Sequence, residues 1–184
     1  MNEKDQLIAL IREHSFQESE TPAFTLASGK KSRFYFNLKM VTCSSQGQYL
    51  VGRLVYDTVL QLGISPDGIG GLTLGADPIS FAAAHTFHLH DKVIEAFVIR
   101  KEPKGHGTAS QIEGHVHPGD TVIITEDVIT TGGSTLKAID AAQAYGLSVI
   151  GVIALLDRCE ENGRQNIEAR GIPVHPILTI DDFR

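Results

Sequence analysis

Cysteine is scarce in this sequence: there are two in 184 residues, Cys43 and Cys159, far apart and in no CxxC pair. That excludes a disulfide-stapled secreted scaffold and a cysteine-based zinc site, and it fits free thiols in a reducing cytosol. Long apolar runs are missing too. The opening stretch MNEKDQLIALIREHS interleaves charges with its apolar residues, so it reads as neither a signal peptide nor a membrane span, and the expectation is a soluble, cytoplasmic protein. Basic residues are outnumbered, with 16 Lys and Arg against 22 Asp and Glu for a net charge of -6. That balance cannot build a broad polyanion-binding face, which argues against nucleic acid as a partner. No repeat, low-complexity tract or linker divides the chain. With 42% hydrophobic residues, its length suits one domain over residues 1–184, with a core that needs no staple.

What is present is a regular alternation of elements. Leu7, Ile8, Leu10 and Ile11 recur at helical spacing behind a capping Asn2. In FTLASGKKSRFYFNLK, apolar and aromatic residues on either side of Ser28 to Ser32 predict two short strands joined by a glycine-containing turn. A helix from Ser44 to Leu62 follows, capped by Ser44 or Ser45 and stopped by Gly63. Beyond it, DGIGG and VIEAFVI read as strands around a helix begun by Pro78, and TVIIT and SVIGVIALLD as strands around a helix from Ser134 to Tyr145 closed by Gly146. Unalternating apolar strands are covered on both faces. The expected architecture is therefore α/β, a central mostly parallel sheet flanked by helices, with ligands at the carboxyl ends of its strands.

The stretch VIITEDVITTGGST carries the chemistry. Glu126 and Asp127 arrive at a strand's carboxyl end, and Val128 and Ile129 lead into Thr130, Thr131, Gly132, Gly133 and Ser134 at the start of a helix. Hydroxyls and backbone N–H groups converging at a helix N-terminus cradle a phosphate. Two carboxylates just ahead of the cradle suit vicinal hydroxyls near that phosphate, as in ribose 5-phosphate. Other phosphate motifs fit worse, because Gly133 is followed by Ser134 where a P-loop needs Lys, and GxGxxG is absent. The plain alternative is an acidic strand end beside a helix cap.

A second constellation, IRKEPKGHGTASQIEG, gathers Arg100, Lys101, Lys104 and His106 among Pro103, Gly105 and Gly107, so it forms no regular element. It is either a solvated basic turn or a loop that closes over a charged leaving group. Gly70, Gly71 and Gly75 in GGLTLGADP place further backbone amides between a strand and a helix. His85, His88 and His90 have no accompanying cysteine or carboxylate set and read as solvent-facing, and His115 and His117 flank a turn.

VIITEDVITTGGST resembles the phosphoribosyl-pyrophosphate (PRPP) signature of the type I phosphoribosyltransferases. Together FTLASGKKSRFYFN, RKEPKGHGT and LLDR resemble the orotate phosphoribosyltransferases over most of the chain. The resemblance implies the type I phosphoribosyltransferase fold, with a small hood from the N-terminal hairpin region. It also implies transfer of ribose 5-phosphate from PRPP to orotate, giving orotidine 5'-monophosphate and pyrophosphate in pyrimidine biosynthesis. By the same resemblance, Glu126, Asp127 and the 128–134 loop bind PRPP, joined by Arg100, Lys101, Lys104 and His106, with Lys104 stabilising the departing pyrophosphate. Thr130, Arg158, Phe34 and Tyr35 are the implied orotate contacts. Mg2+ is the implied cofactor, held mainly through PRPP and not by a protein cage, in a homodimer whose basic loop reaches the neighbouring subunit's site. The sequence departs from some relatives by lacking their Tyr-Lys pair, reading Leu74-Gly75 instead, and by having Ala27 where some have lysine. The alternatives are a transferase for another nucleobase and a non-catalytic PRPP-sensing regulator.

Overall fold

The computed structural model describes residues 2–25, 29–102 and 110–184. Ala27, Lys104 and His106 lie outside them. Helix α1 spans Glu3–His14 behind a reciprocal cap, in which the Asp5 amide donates to the Asn2 side chain at 2.8 Å and the Asn2 amide to the Asp5 carboxylate. Its Leu7, Leu10 and Ile11 are buried. Strands β1 (Phe16–Glu18), β2 (Phe24–Thr25), β3 (Lys31–Ser32) and β4 (Phe34–Phe36) and the short helix α2 (Lys39–Thr42) follow.

These strands pair differently from the single hairpin expected. β2 and β3 do form an antiparallel ladder, with Phe24 opposite Ser32, but the FYF run leaves it and pairs with β1 instead, Phe16 opposite Phe36. Aromatic packing explains the switch: the Phe16 ring lies 5.0 Å from that of Phe36 and 5.5 Å from that of Phe183.

Helix α3 (Ser45–Leu62) is capped by the Ser44 hydroxyl, which accepts the Gly47 amide, and it ends at Gly63. Then come β5 (Gly68–Leu72), α4 (Asp77–Leu89, with Pro78 in its first turn), β6 (Glu95–Ile99), β7 (Ile112–Gly114) and β8 (Thr121–Ile129). The chain continues through α5 (Gly133–Tyr145), β9 (Ser148–Asp157), α6 (Gly163–Glu168) and β10 (Val174–Thr179) to a 3-10 turn at Ile180–Phe183. Six strands form one sheet in the order β10-β9-β8-β5-β6-β7, with only β7 antiparallel to its neighbour.

Alternation along the strands splits the core in two. Ile69, Ile123, Ile153, Leu155 and Leu178 join the cluster under α1, α3 and α4, whereas Val122, Ile124, Val152 and Ala154 join the one under α5 and α6. The chain winds one way from β5 through α4 to β6 and the other way from β8 through α5 to β9. A crevice opens where the two directions part. β8 pairs with β5 only as far as Ile124, but with β9 as far as Ile129. Its last five residues therefore border that crevice on one side and a ladder on the other.

Candidate active site

Glu126 and Asp127 sit on this half-open end of β8, so the strand runs further than TVIIT suggested and carries both acids within it. Glu126 points inward and is buried. Its Oε2 accepts the Thr135 hydroxyl at 3.0 Å, and its Oε1 accepts the Asp127 amide at 3.2 Å. Burial first, and the neighbouring Asp127 carboxylate second, push its pKa up to about 8. Both effects disfavour the ionised form, so Glu126 holds its proton more tightly than an ordinary carboxyl.

Asp127 faces the crevice. Its Oδ1 accepts the Val128 amide at 2.9 Å, and its Oδ2 lies 3.0 Å from the Lys39 ammonium. The Leu74-Gly75 turn passes directly over it, since a Cβ on Gly75 would lie 2.7 Å from the Asp127 carboxyl carbon. Only glycine permits that approach. Lys39, Leu72, Thr73, Leu74, Gly75, Lys101, Glu126, Asp127 and Ser134 line one cavity of about 220 Å³. Thr73 donates to Asp77 at 2.6 Å, tying the turn to the start of α4.

The loop after β8 is braced from behind. A Cβ on Gly163 would lie 2.3 Å from the Thr130 carbonyl oxygen, and the Asn166 side chain donates to the Thr131 carbonyl at 3.0 Å, so α6 holds the loop's back. Thr131, Gly133 and Ser134 remain exposed at the start of α5. Val128 and Ile129 turn their side chains toward the two cores, away from the loop.

Arg158 follows β9 and is 3% exposed. It donates to Ser32 Oγ at 2.9 Å, the Phe34 carbonyl at 3.2 Å and Glu160 at 3.1 Å, and its own amide donates to the Ile129 carbonyl at 3.0 Å. One side chain thereby joins the sheet edge to the hood. Phe34 packs near Phe16, and Tyr35, on the opposite face, stacks on Phe24 at 5.6 Å. Arg100 pairs with Glu113 at 3.8 Å and does not line the Asp127 cavity, whereas Lys101 does.

Lys39 is the residue that sequence reasoning missed. It stands in no motif, and its partner Asp127 is 88 positions away. Among the described residues no three His, Cys, Asp or Glu side chains group to hold a metal ion. A separate cavity of about 560 Å³, lined by Tyr49, Arg53, His85 and His90 among others, shares no residue with the Asp127 cavity.

No family model matches the sequence. Curated proteins do: an orotate phosphoribosyltransferase of Aquifex aeolicus is 48% identical over 183 residues, covering 100% of this chain and 98% of that protein. The chain belongs to the orotate phosphoribosyltransferase family. Another family member, from Rhodopirellula baltica, is 43% identical over 96% of this chain and 92% of its own. The crystal structure of the Mycobacterium tuberculosis H37Rv orotate phosphoribosyltransferase is similar with a TM-score of 0.84 at 34% identity, covering 98% of each chain. An adenine phosphoribosyltransferase from Leishmania donovani, 14% identical with a TM-score of 0.66, shares the fold alone. The fold is the type I phosphoribosyltransferase fold, and the family's reaction transfers ribose 5-phosphate from PRPP to orotate in pyrimidine biosynthesis. Among the described residues no helix is long and apolar enough to cross a membrane.

Proposed function

We propose that residues 1–184 act as one orotate phosphoribosyltransferase domain in which the crevice beside β8 binds PRPP. The observation that carries this is an acidic residue, Asp127, facing a cavity that it shares with Ser134 and Lys101, directly ahead of an exposed Thr/Gly loop that opens α5. In this reading Thr130, Thr131, Gly132, Gly133 and Ser134, with the backbone of Val128 and Ile129, hold the 5'-phosphate at the helix N-terminus. Asp127 accepts from the ribose hydroxyls, and Glu126 stands behind it. Lys101 meets the pyrophosphate from the cavity wall, and the family resemblance adds Arg100, Lys104 and His106 as its further contacts, with Lys104 steadying the charge that builds as it departs. Orotate lies toward Arg158, Thr130, Phe34 and Tyr35.

The donors near Asp127 are carboxylate and hydroxyl oxygens, the type Mg2+ prefers, but too few for a protein cage. They fit an ion held mainly through PRPP, with Asp127 as its protein contact. Such an ion would supply screening of the pyrophosphate charge and help orient the leaving group. The protein's own part is positional and electrostatic. The loop fixes the phosphate end, the carboxylate of Asp127 lies where positive charge grows on the ribose as the leaving group departs, and the hood excludes water. In the working homodimer the basic RKEPKGHGT loop of one subunit serves its partner's site, and the enzyme is cytoplasmic.

The test follows orotate absorbance in purified protein with Mg2+, with and without PRPP. Consumption of orotate only with PRPP, falling by about 10² or more in Asp127→Asn at unchanged thermal stability, is the expected result. An unchanged rate in that variant removes Asp127 from the site.

A further inference from the structure

We propose that Lys39 is a pyrophosphate-binding residue, held on Asp127 in the free protein and passed to the diphosphate of PRPP when the substrate arrives. This rests on the placement of PRPP given above. Lys39 is the first residue of α2, and it lines the same cavity as Lys101 although it lies far from the basic 100–106 stretch in sequence. The turn that roofs the cavity, Leu72 to Gly75, brings no charged side chain. Among the described residues lining the cavity, Lys39 and Lys101 are therefore the two cations. A leaving group of several negative charges draws on whichever cations can reach it.

Two features make Lys39 transferable. The Asp127 carboxylate does not depend on it for position, because Oδ1 is held by the Val128 amide at 2.9 Å while only Oδ2 meets the ammonium. The Lys39 side chain is 48% exposed against 15% for Asp127, so the lysine stem can swing without opening the core. An ion pair of that exposure is weak and yields to a polyanion. The exchange also suits both partners. As Lys39 turns to phosphate oxygens, Oδ2 becomes free to accept a ribose hydroxyl, so one movement prepares both ends of the bond that breaks.

The test is calorimetric titration of magnesium pyrophosphate into wild type, Lys39→Met, Lys39→Arg and Lys101→Met. Loss of one charge-assisted contact in Lys39→Met weakens binding by about 10- to 100-fold. It raises KM for PRPP far more than KM for orotate, leaves the thermal midpoint unchanged, and is largely restored by arginine. If Lys39→Met binds like wild type while Lys101→Met does not, the assignment of Lys39 is overturned and the PRPP placement stands. If neither variant changes binding, the placement itself fails and takes this inference with it. A weakened Lys39→Met that also melts earlier and is not rescued by Lys39→Arg assigns the pair a structural role and overturns the proposal.

Discussion

Glu126 and Asp127 are adjacent, yet alternation along β8 sends one into the protein and the other to the crevice. The consequence is a pH signature. A carboxyl whose folded pKa is raised from 4.5 to about 8 binds its proton more tightly in the native state than in the unfolded one. The associated stability is fully present below about pH 4.5, and it is lost as pH rises through about 8. Glu126→Gln stays neutral throughout and removes this dependence. Its thermal midpoint is expected to lie near that of wild type at about pH 5 and several degrees above it at about pH 9, given roughly 2–4 °C per kcal/mol for a chain of this size. Equal midpoints at both pH values would mean that Glu126 is not held neutral.

At the scale of elements, the 130–134 loop proposed to hold the phosphate depends on what stands behind it. Gly163 meets the Thr130 carbonyl so closely that Gly163→Ala must displace either α6 or the loop. That variant is expected to lose about 1–3 kcal/mol of stability and to bind PRPP more weakly, while orotate binding changes less; unfolding curves and PRPP titrations check both. The same scale shows what the sequence made legible. Asn2, Ser44, Gly63, Pro78 and Gly146 each mark a helix end where the structure has one, because caps and stops act within a turn of chain. The acidic pair and the Thr/Gly loop were equally plain, being contiguous. The three-residue strands β1 and β4 were not, since so short a run has no period and their aromatic residues pack on Phe183 at the far end of the sequence. α6 and β10 were likewise not foreseen, and β7 overturns part of one reading, since Ile112–Gly114 is a strand at the end of the IRKEPKGHGTASQIEG stretch expected to form no regular element. Nor could Lys39 be read from sequence, because its meaning comes only from the fold that brings it to Asp127.

For the whole molecule, the decisive question is whether one subunit completes another's site. Lys104→Ala and Asp127→Asn are each expected to lower kcat by about 10² or more. If the RKEPKGHGT loop serves the neighbouring subunit, mixing the two variants in equal amounts and re-equilibrating creates hybrids in which one site has native Asp127 together with the partner subunit's Lys104. Two-fold symmetry then predicts recovery to about a quarter of the wild-type rate. No recovery in a mixture that size analysis shows to contain hybrids would confine each site to its own chain.

The uneven pairing of the strands also divides the molecule by how readily its parts open. Beneath the crevice lies a six-stranded sheet with a core on each face, which comes apart only with the global fold. The N-terminal strands are joined far more briefly, β2 to β3 over two residue pairs and β1 to β4 over three. The sheet is thus among the last parts of the molecule to open, so the crevice beside β8 keeps its geometry even when the β2–β3 ladder parts.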